Sequence, residues 1–194
     1  MRRDVDCRVS RRQLLERAAV GVGAAGAIAA SSAVSAPSPG QDTRILNFLL
    51  LLEFLQHDLY AEALAAGNLS GELLRYAQEC GEHEQEHVLS LRSELGGDAR
   101  AKPTFRFGDA LAQEGRFAAA ALTLEETAVA AYIGQAANLT PERRVAVARI
   151  VSVEARHAAW IRAFVGRLPA PYAADRAKTA EGAMATIRRT GFVS

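Results

Sequence analysis

Leu52-Glu53, Tyr60 and Glu84-Gln85-Glu86-His87 are followed along the chain by Leu124-Glu125, Tyr132 and Glu154-Ala155-Arg156-His157. In both series the tyrosine stands seven residues after the first glutamate, and the two glutamates lie 31 and 29 residues apart. Such an interval holds a helix, a turn and part of a second helix. A lone Glu plus one Glu-x-x-His, written twice, supplies four carboxylates and two imidazoles. That is the donor set with which a four-helix bundle holds two metal ions.

Around this phrase the chain is an ordinary helix-former. Its 194 residues suit one domain with a substantial core, and 49% apolar against 23% charged residues is a globular balance. Ala is abundant and β-branched clusters are few, so propensity favours helix. The formal charge of +1 is unevenly spread. Residues 1–36 carry six Arg and three acids, and residues 37–194 carry 17 basic and 19 acidic side chains. With no basic stripe beyond the N-terminal segment, nucleic acid is not an expected partner.

Residues 1–36 carry the marks of an export signal. Ser10-Arg11-Arg12-Gln13-Leu14-Leu15 resembles the twin-arginine motif, an Ala/Gly-rich apolar run covers Ala18 to Ala30, and Ala33-Val34-Ser35-Ala36 offers a cleavage zone before Pro37. The alternative is an N-terminal anchor that stays. A span needs about 20 strongly apolar residues, and this run is shorter and mostly Ala and Gly, so removal is favoured and no membrane span is expected afterwards. The twin-arginine translocation machinery would be the export partner, and the destination the periplasm or the extracellular side of the envelope. Cys7 falls in the signal, leaving Cys80 without an intrachain partner and expected as a small buried hydrophobe.

Turn and cap signals divide the rest. Residues 37–42 read as a linker ending at a capping Asp42, residues 43–168 as the bundle, and residues 169–194 as a tail with a short helix near 175–189. Within the bundle the expected helices are 43–66, stopping at Gly67-Asn68; one capped by Ser70 and reaching Leu95; about 109–137, opened by Asp109; and one begun by Thr140-Pro141-Glu142 and reaching Arg167. Residues 98–108, with Phe105 and Phe107, form the crossover between two antiparallel hairpins.

Spacing by threes and fours sets the inward faces. Leu73, Ala77, Cys80, Glu84, His87, Leu91 and Leu95 share one, as do Val147, Ile150, Glu154, His157, Ile161, Phe164 and Leu168. Leu46, Leu49, Glu53, Gln56, Tyr60 and Ala63 share a third; Ala118, Ala121, Glu125, Ala128 and Tyr132 a fourth. Four ionised carboxylates in a dry core are very costly without cations, so Glu53, Glu84, His87, Glu125, Glu154 and His157 are the candidate metal ligands. Mixed oxygen and nitrogen donors suit iron or manganese. The rival is a metal-free bundle whose acids pair with Arg156 or with one another. Glu82, Glu86 and Glu126 fall beside the stripes; His83 lies at their edge, one turn from His87. His57 matches Val129 in the second series and is not expected to ligate. For Tyr60 and Tyr132 packing is the default, with a hydrogen bond into the carboxylate cluster as the functional alternative.

On these motifs the chain resembles the ferritin/rubrerythrin superfamily over about residues 42–170. The resemblance rests on Ile45-Leu46-Asn47-Phe48 through Leu52-Glu53 and Tyr60, Glu84-x-x-His87, Leu124-Glu125-Glu126-Thr127 through Ala130-Ala131-Tyr132, and Val153 through Trp160. It implies an all-α, ferritin-like four-helix bundle of two antiparallel hairpins plus a short C-terminal helix. It also implies a carboxylate-bridged centre of two Fe (alternatively Mn), with Glu84 and Glu154 bridging and His87 and His157 as terminal nitrogen ligands. The implied chemistry is oxidoreductase: oxidation of Fe(II), reduction of O₂ or peroxide, or peroxide dismutation. The rubredoxin-type Cys-x-x-Cys centre of a rubrerythrin is absent, and the signal and tail differ from cage-forming ferritin. Oligomerisation is left open.

Two other readings stand beside it. His83-Glu84-Gln85-Glu86-His87 spells the His-Glu-x-x-His of zinc metalloproteases, but positions 90 and 93 are Ser, a Gly/Pro connector follows, and the second phrase has Val153 in place of the first His. The other is a non-catalytic structural or stress-associated bundle.

Overall fold

A computed structural model describes residues 36–193, the C-terminal unit of the chain; the stretch expected to be a twin-arginine signal, with Cys7, lies outside the described residues. Five α-helices make up this unit: α1 Pro39–Ala66, α2 Gly71–Leu95, α3 Glu114–Ala136, α4 Pro141–Phe164 and α5 Ala180–Thr190. Short 3-10 turns stand at Gly96–Asp98 and Gly108–Leu111, and there is no strand among the described residues. α1 packs on α2 and α3 on α4, each pair joined by a short loop; α1–α3 and α2–α4 contacts close the four-helix bundle, and α5 lies against α3.

α1 starts earlier than expected. Ser38 caps it, its Oγ accepting from the Gln41 N–H, with Pro39 in the first turn. The stretch anticipated as a linker to Asp42 is thus helical from Pro39. Asp42 is buried and accepts both the backbone N–H (3.0 Å) and the hydroxyl (2.6 Å) of Thr140. A residue expected to cap its own helix instead ties the start of α1 to the start of α4.

Ser70 is likewise at the N-cap of α2 without a side-chain cap bond; its N–H and hydroxyl go to Glu114 at the start of α3. α3 begins at Glu114, not Asp109, because Gly108 (φ 49°) turns the chain and Asp109 pairs with Arg116 at the surface. α4 ends at Phe164, with Gly166 at φ 74°, so Phe164 and Leu168 leave the predicted core face and are exposed. The rest of the four stripes is buried as spaced.

α3 is apolar enough in length and composition to cross a membrane, and its burial accounts for that. Ala118, Ala121, Ala128 and Ala131 are at most 1% exposed and let α3 approach its neighbours closely. The tail uses the same economy of size. Lys178 donates its N–H to Ala130 O (2.8 Å), and its carbonyl passes so near Gly134 that a Cβ there would lie 1.8 Å from the oxygen. Phe105 and Phe107 pack down as the crossover reading required, with Phe192 from the chain end against Phe107 (centroids 5.1 Å) and Arg106 N–H on Phe192 O.

Candidate metal centre

The helices carry the six candidate ligands to one place: Glu53 from α1, Glu84 and His87 from α2, Glu125 from α3, Glu154 and His157 from α4. All four carboxylates are fully buried, and the two imidazoles nearly so. Their donor atoms fall into two groups of metal-holding size, Glu53–Glu84–His87–Glu154 and Glu84–Glu125–Glu154–His157, with donors in each group within 4.8 Å of one another. Glu84 and Glu154 belong to both. His87 Nδ1 lies 3.2 Å from Glu53 Oε2, 3.2 Å from Glu84 Oε2 and 2.9 Å from Glu154 Oε1. His157 Nδ1 lies 3.1 Å from Glu84 Oε1 and 3.6 Å from Glu125 Oε2.

Neutral donors brace the cluster. The Tyr60 hydroxyl donates to Glu125 and the Tyr132 hydroxyl to Glu53, so each hairpin's tyrosine serves the other hairpin's lone glutamate. The functional alternative for these tyrosines is therefore the one observed. Tyr60 also meets the Tyr76 hydroxyl at 3.0 Å. Gln56, placed on the inward face by spacing alone and given no role there, donates Nε2–H to Glu154 Oε2 at 3.1 Å. Its signal was present: an amide on an otherwise apolar face needs a buried partner.

Electrostatics within the cluster are those of crowded acids. Burial, reinforced by the Glu84 charge, raises Glu53 to about 8. Burial with the Glu53 and Glu125 charges raises Glu154 to about 7. Burial alone would lower His87, but the carboxylates of Glu154, Glu53 and Glu84 beside its ring carry it up to about 12. The same contest raises His157, where contacts with the Cys80 thiol, Glu125 and Glu84 outweigh burial. Cys80 is fully buried and burial pushes its thiol up to about 12, so it remains protonated and inert, as a small hydrophobe would.

A cation fits this set. Glu84 Oε1, Glu125 Oε2, Glu154 Oε1 and His157 Nδ1 are buried without a hydrogen-bond partner, and all four atoms are good metal donors. In one form of the metal-free rival Arg156 neutralises the acids; in the other they pair with one another. Arg156 is exposed, and among the described residues no Arg or Lys pairs with any of the four glutamates. Glu126 pairs outside the cluster with Arg162 at 2.6 Å; Glu82 and Glu86 are exposed. His57 pairs with Asp58, away from both groups. His83 also belongs to neither group, so the two histidines of His83-Glu84-x-x-His87 do not share a metal-sized cluster. His83 instead contacts His157, Nδ1 to Nε2 at 2.9 Å.

Residues 41–167 match the sequence profile of the ferritin-like domain family. No curated protein is significantly similar to the chain.

Proposed function

The chain belongs to the ferritin-like domain family, and from that premise we propose that it is an exported di-metal carboxylate protein acting in redox chemistry on Fe(II), O₂ or peroxide. The observation that carries this reading is the pair of overlapping donor groups with buried, unpartnered oxygens. Glu53, Glu84, His87 and Glu154 would hold one ion; Glu84, Glu125, Glu154 and His157 the other, with Glu84 and Glu154 common to both. Iron is the preferred metal and manganese the alternative, on the mixed oxygen and nitrogen donors. When bound, such ions supply one-electron exchange with a small inorganic oxidant.

The chain's own contribution is to hold and shield. Tyr60 and Tyr132 fix the two lone carboxylates through their hydroxyls, and Gln56 fixes Glu154. Leu49, Leu91, Phe117 and Ile161 are buried in the same bundle core and exclude bulk water from it. Export by the twin-arginine machinery is supported by Ser10-Arg11-Arg12-Gln13-Leu14-Leu15 ahead of the Ala/Gly run, and that route carries proteins already folded around a cofactor.

The second reading is a non-catalytic bundle. It is favoured by the raised Glu53 and Glu154, which let the cluster hold protons in place of metal. Metal analysis of the mature protein purified from its native host separates the cases. About two Fe or Mn per chain, by the two donor groups, together with an O₂- or peroxide-dependent absorbance change on adding Fe(II), supports the redox reading. Metal without that change leaves the passive bundle, and one Zn per chain that survives Glu125→Ala sinks the di-metal site.

A further inference from the structure

His83 belongs to the doubled phrase's surroundings but is not copied in the repeat: Val153 stands one residue before Glu154 where His83 stands one before Glu84. It is exposed, it lies on α2, and it reaches across to a ligand candidate of the other hairpin. The two rings are parallel to within 5°, their centroids 5.2 Å apart, with Nδ1 of His83 2.9 Å from Nε2 of His157. A face-to-face stack would bring the centroids much closer. Here the centroid separation is about the nitrogen–nitrogen distance plus the two ring radii, so the imidazoles lie end to end in one plane. That is the arrangement of a linear N–H···N hydrogen bond.

We propose that His83 is a positioning residue: its Nδ1 accepts the Nε2–H of His157 and keeps His157 Nδ1 turned toward Glu84 and Glu125, where one metal ion would be held. The direction of the bond follows from the other nitrogen. His157 Nδ1 is buried, unpartnered and faces two carboxylates, so it is the donor atom available to a cation, and a ligating histidine then carries its proton on Nε2. The exposed His83 ring supplies the acceptor that this proton needs. Among the described residues His87 has no hydrogen-bond partner outside the cluster, and Val153, at the equivalent sequence position, has no acceptor. His83 thus acts on the Glu84–Glu125–Glu154–His157 group and leaves the Glu53–Glu84–His87–Glu154 group alone.

The role in metal binding rests on the di-metal reading; the hydrogen bond does not, and the test keeps them apart. In the metal-free protein labelled with ¹⁵N-histidine, a scalar coupling between His157 Nε2 and His83 Nδ1 is expected in the wild type. Its absence there, with both rings assigned, overturns the proposal. Mn(II) binding is then titrated into the wild type, His83→Phe, which keeps a flat ring without an acceptor, and His83→Asn, whose amide oxygen takes the place of Nδ1. His83→Phe should weaken one of two ions by about 10–100-fold and leave the other unchanged, and His83→Asn should recover most of the loss. Equal affinity in His83→Phe and wild type, or an Asn variant as weak as the Phe one, sinks the positioning role. A wild type that takes up no Mn(II) or Fe(II) refutes the di-metal reading and the metal part of this proposal with it, while the coupling still decides the bond.

Discussion

The hairpin α1–α2 and the hairpin α3–α4 contribute the same three ligand candidates, yet they do not surround them alike. At equal offsets from the ligands, the first hairpin places Gln56, Tyr76, Cys80 and His83 where the second places Ala128, Ala146, Ile150 and Val153. Only the tyrosine pair Tyr60 and Tyr132 is matched, each hydroxyl crossing to the opposite lone glutamate. Gln56 and His83 both cross from the first hairpin to the Glu154-x-x-His157 of the second. Among the described residues, Glu84 and His87 receive no side-chain hydrogen bond from outside the six-residue cluster. Duplicated ligands therefore do not make two equal sites: the coordinating atoms and their tyrosines repeat, and the further orienting groups, Gln56 and His83, come from the first hairpin alone.

The largest effect is expected where the symmetry is strongest. Glu84→Ala and Glu154→Ala each remove a carboxylate common to both donor groups, and both variants should lose two metal ions per chain. Glu53→Ala and Glu125→Ala each touch one group and should retain one ion. Folding should survive all four, since deleting one of several crowded buried acids relieves repulsion in the metal-free protein. Metal stoichiometry with circular dichroism as the folding control is the measurement. A Glu53 variant that empties the whole site would break the picture of two overlapping groups.

A smaller effect comes from protons taking the place of metal. Glu53, raised from 4.5 to about 8, and Glu154, raised from 4.5 to about 7, are protonated more readily folded than unfolded. Their contribution to stability is fully present below 4.5 and is lost as pH rises through about 7 and then about 8. His87, raised from 6.5 to about 12, has the same sign: its contribution is present below 6.5 and declines as pH climbs toward about 12. The metal-free bundle should therefore melt at falling temperature between about pH 5 and pH 9, the reverse of ordinary acid denaturation, and Mn(II) should flatten that slope. A metal-free Tm that rises across the same window would contradict it. Because Glu53 belongs to the first hairpin and Glu154 to the second, Glu53→Gln and Glu154→Gln should each remove a separate part of the slope.

The fold and the six residues were legible because both follow from short-range rules. Helical periodicity puts Glu84 and His87, or Glu154 and His157, on one apolar face, and a carboxylate on such a face needs an explanation from chemistry. What spacing could not show is which side chain of one helix meets which of another. Asp42 had every mark of a cap for its own helix, and it serves Thr140, 98 residues away. His83 looked borderline because its partner is set by how α2 lies on α4, a packing outcome with no trace in either helix's periodicity. The end of α4 failed for a local reason. Phe164 and Leu168 keep the period, but Gly166 turns the chain between them.

The smallest effect isolates one crossing contact. Gln56→Met conserves volume and removes the Nε2–H that reaches Glu154 Oε2. A hydrogen bond to a charged group is worth about 1.5–3 kcal/mol, and one to a neutral group about 1 kcal/mol. Glu154 changes from neutral to charged near pH 7 in the metal-free bundle, so the cost of the substitution should itself depend on pH. Urea melts of the metal-free wild type and variant should show the smaller destabilisation at about pH 5 and the larger, roughly doubled, at about pH 9. In a Glu154→Gln background that pH dependence should vanish, since the acceptor no longer ionises. A cost that is the same at both pH values, or one that keeps its pH dependence without the Glu154 carboxylate, would mean that Gln56 merely fills space and that the second hairpin's Glu-x-x-His is braced by His83 alone.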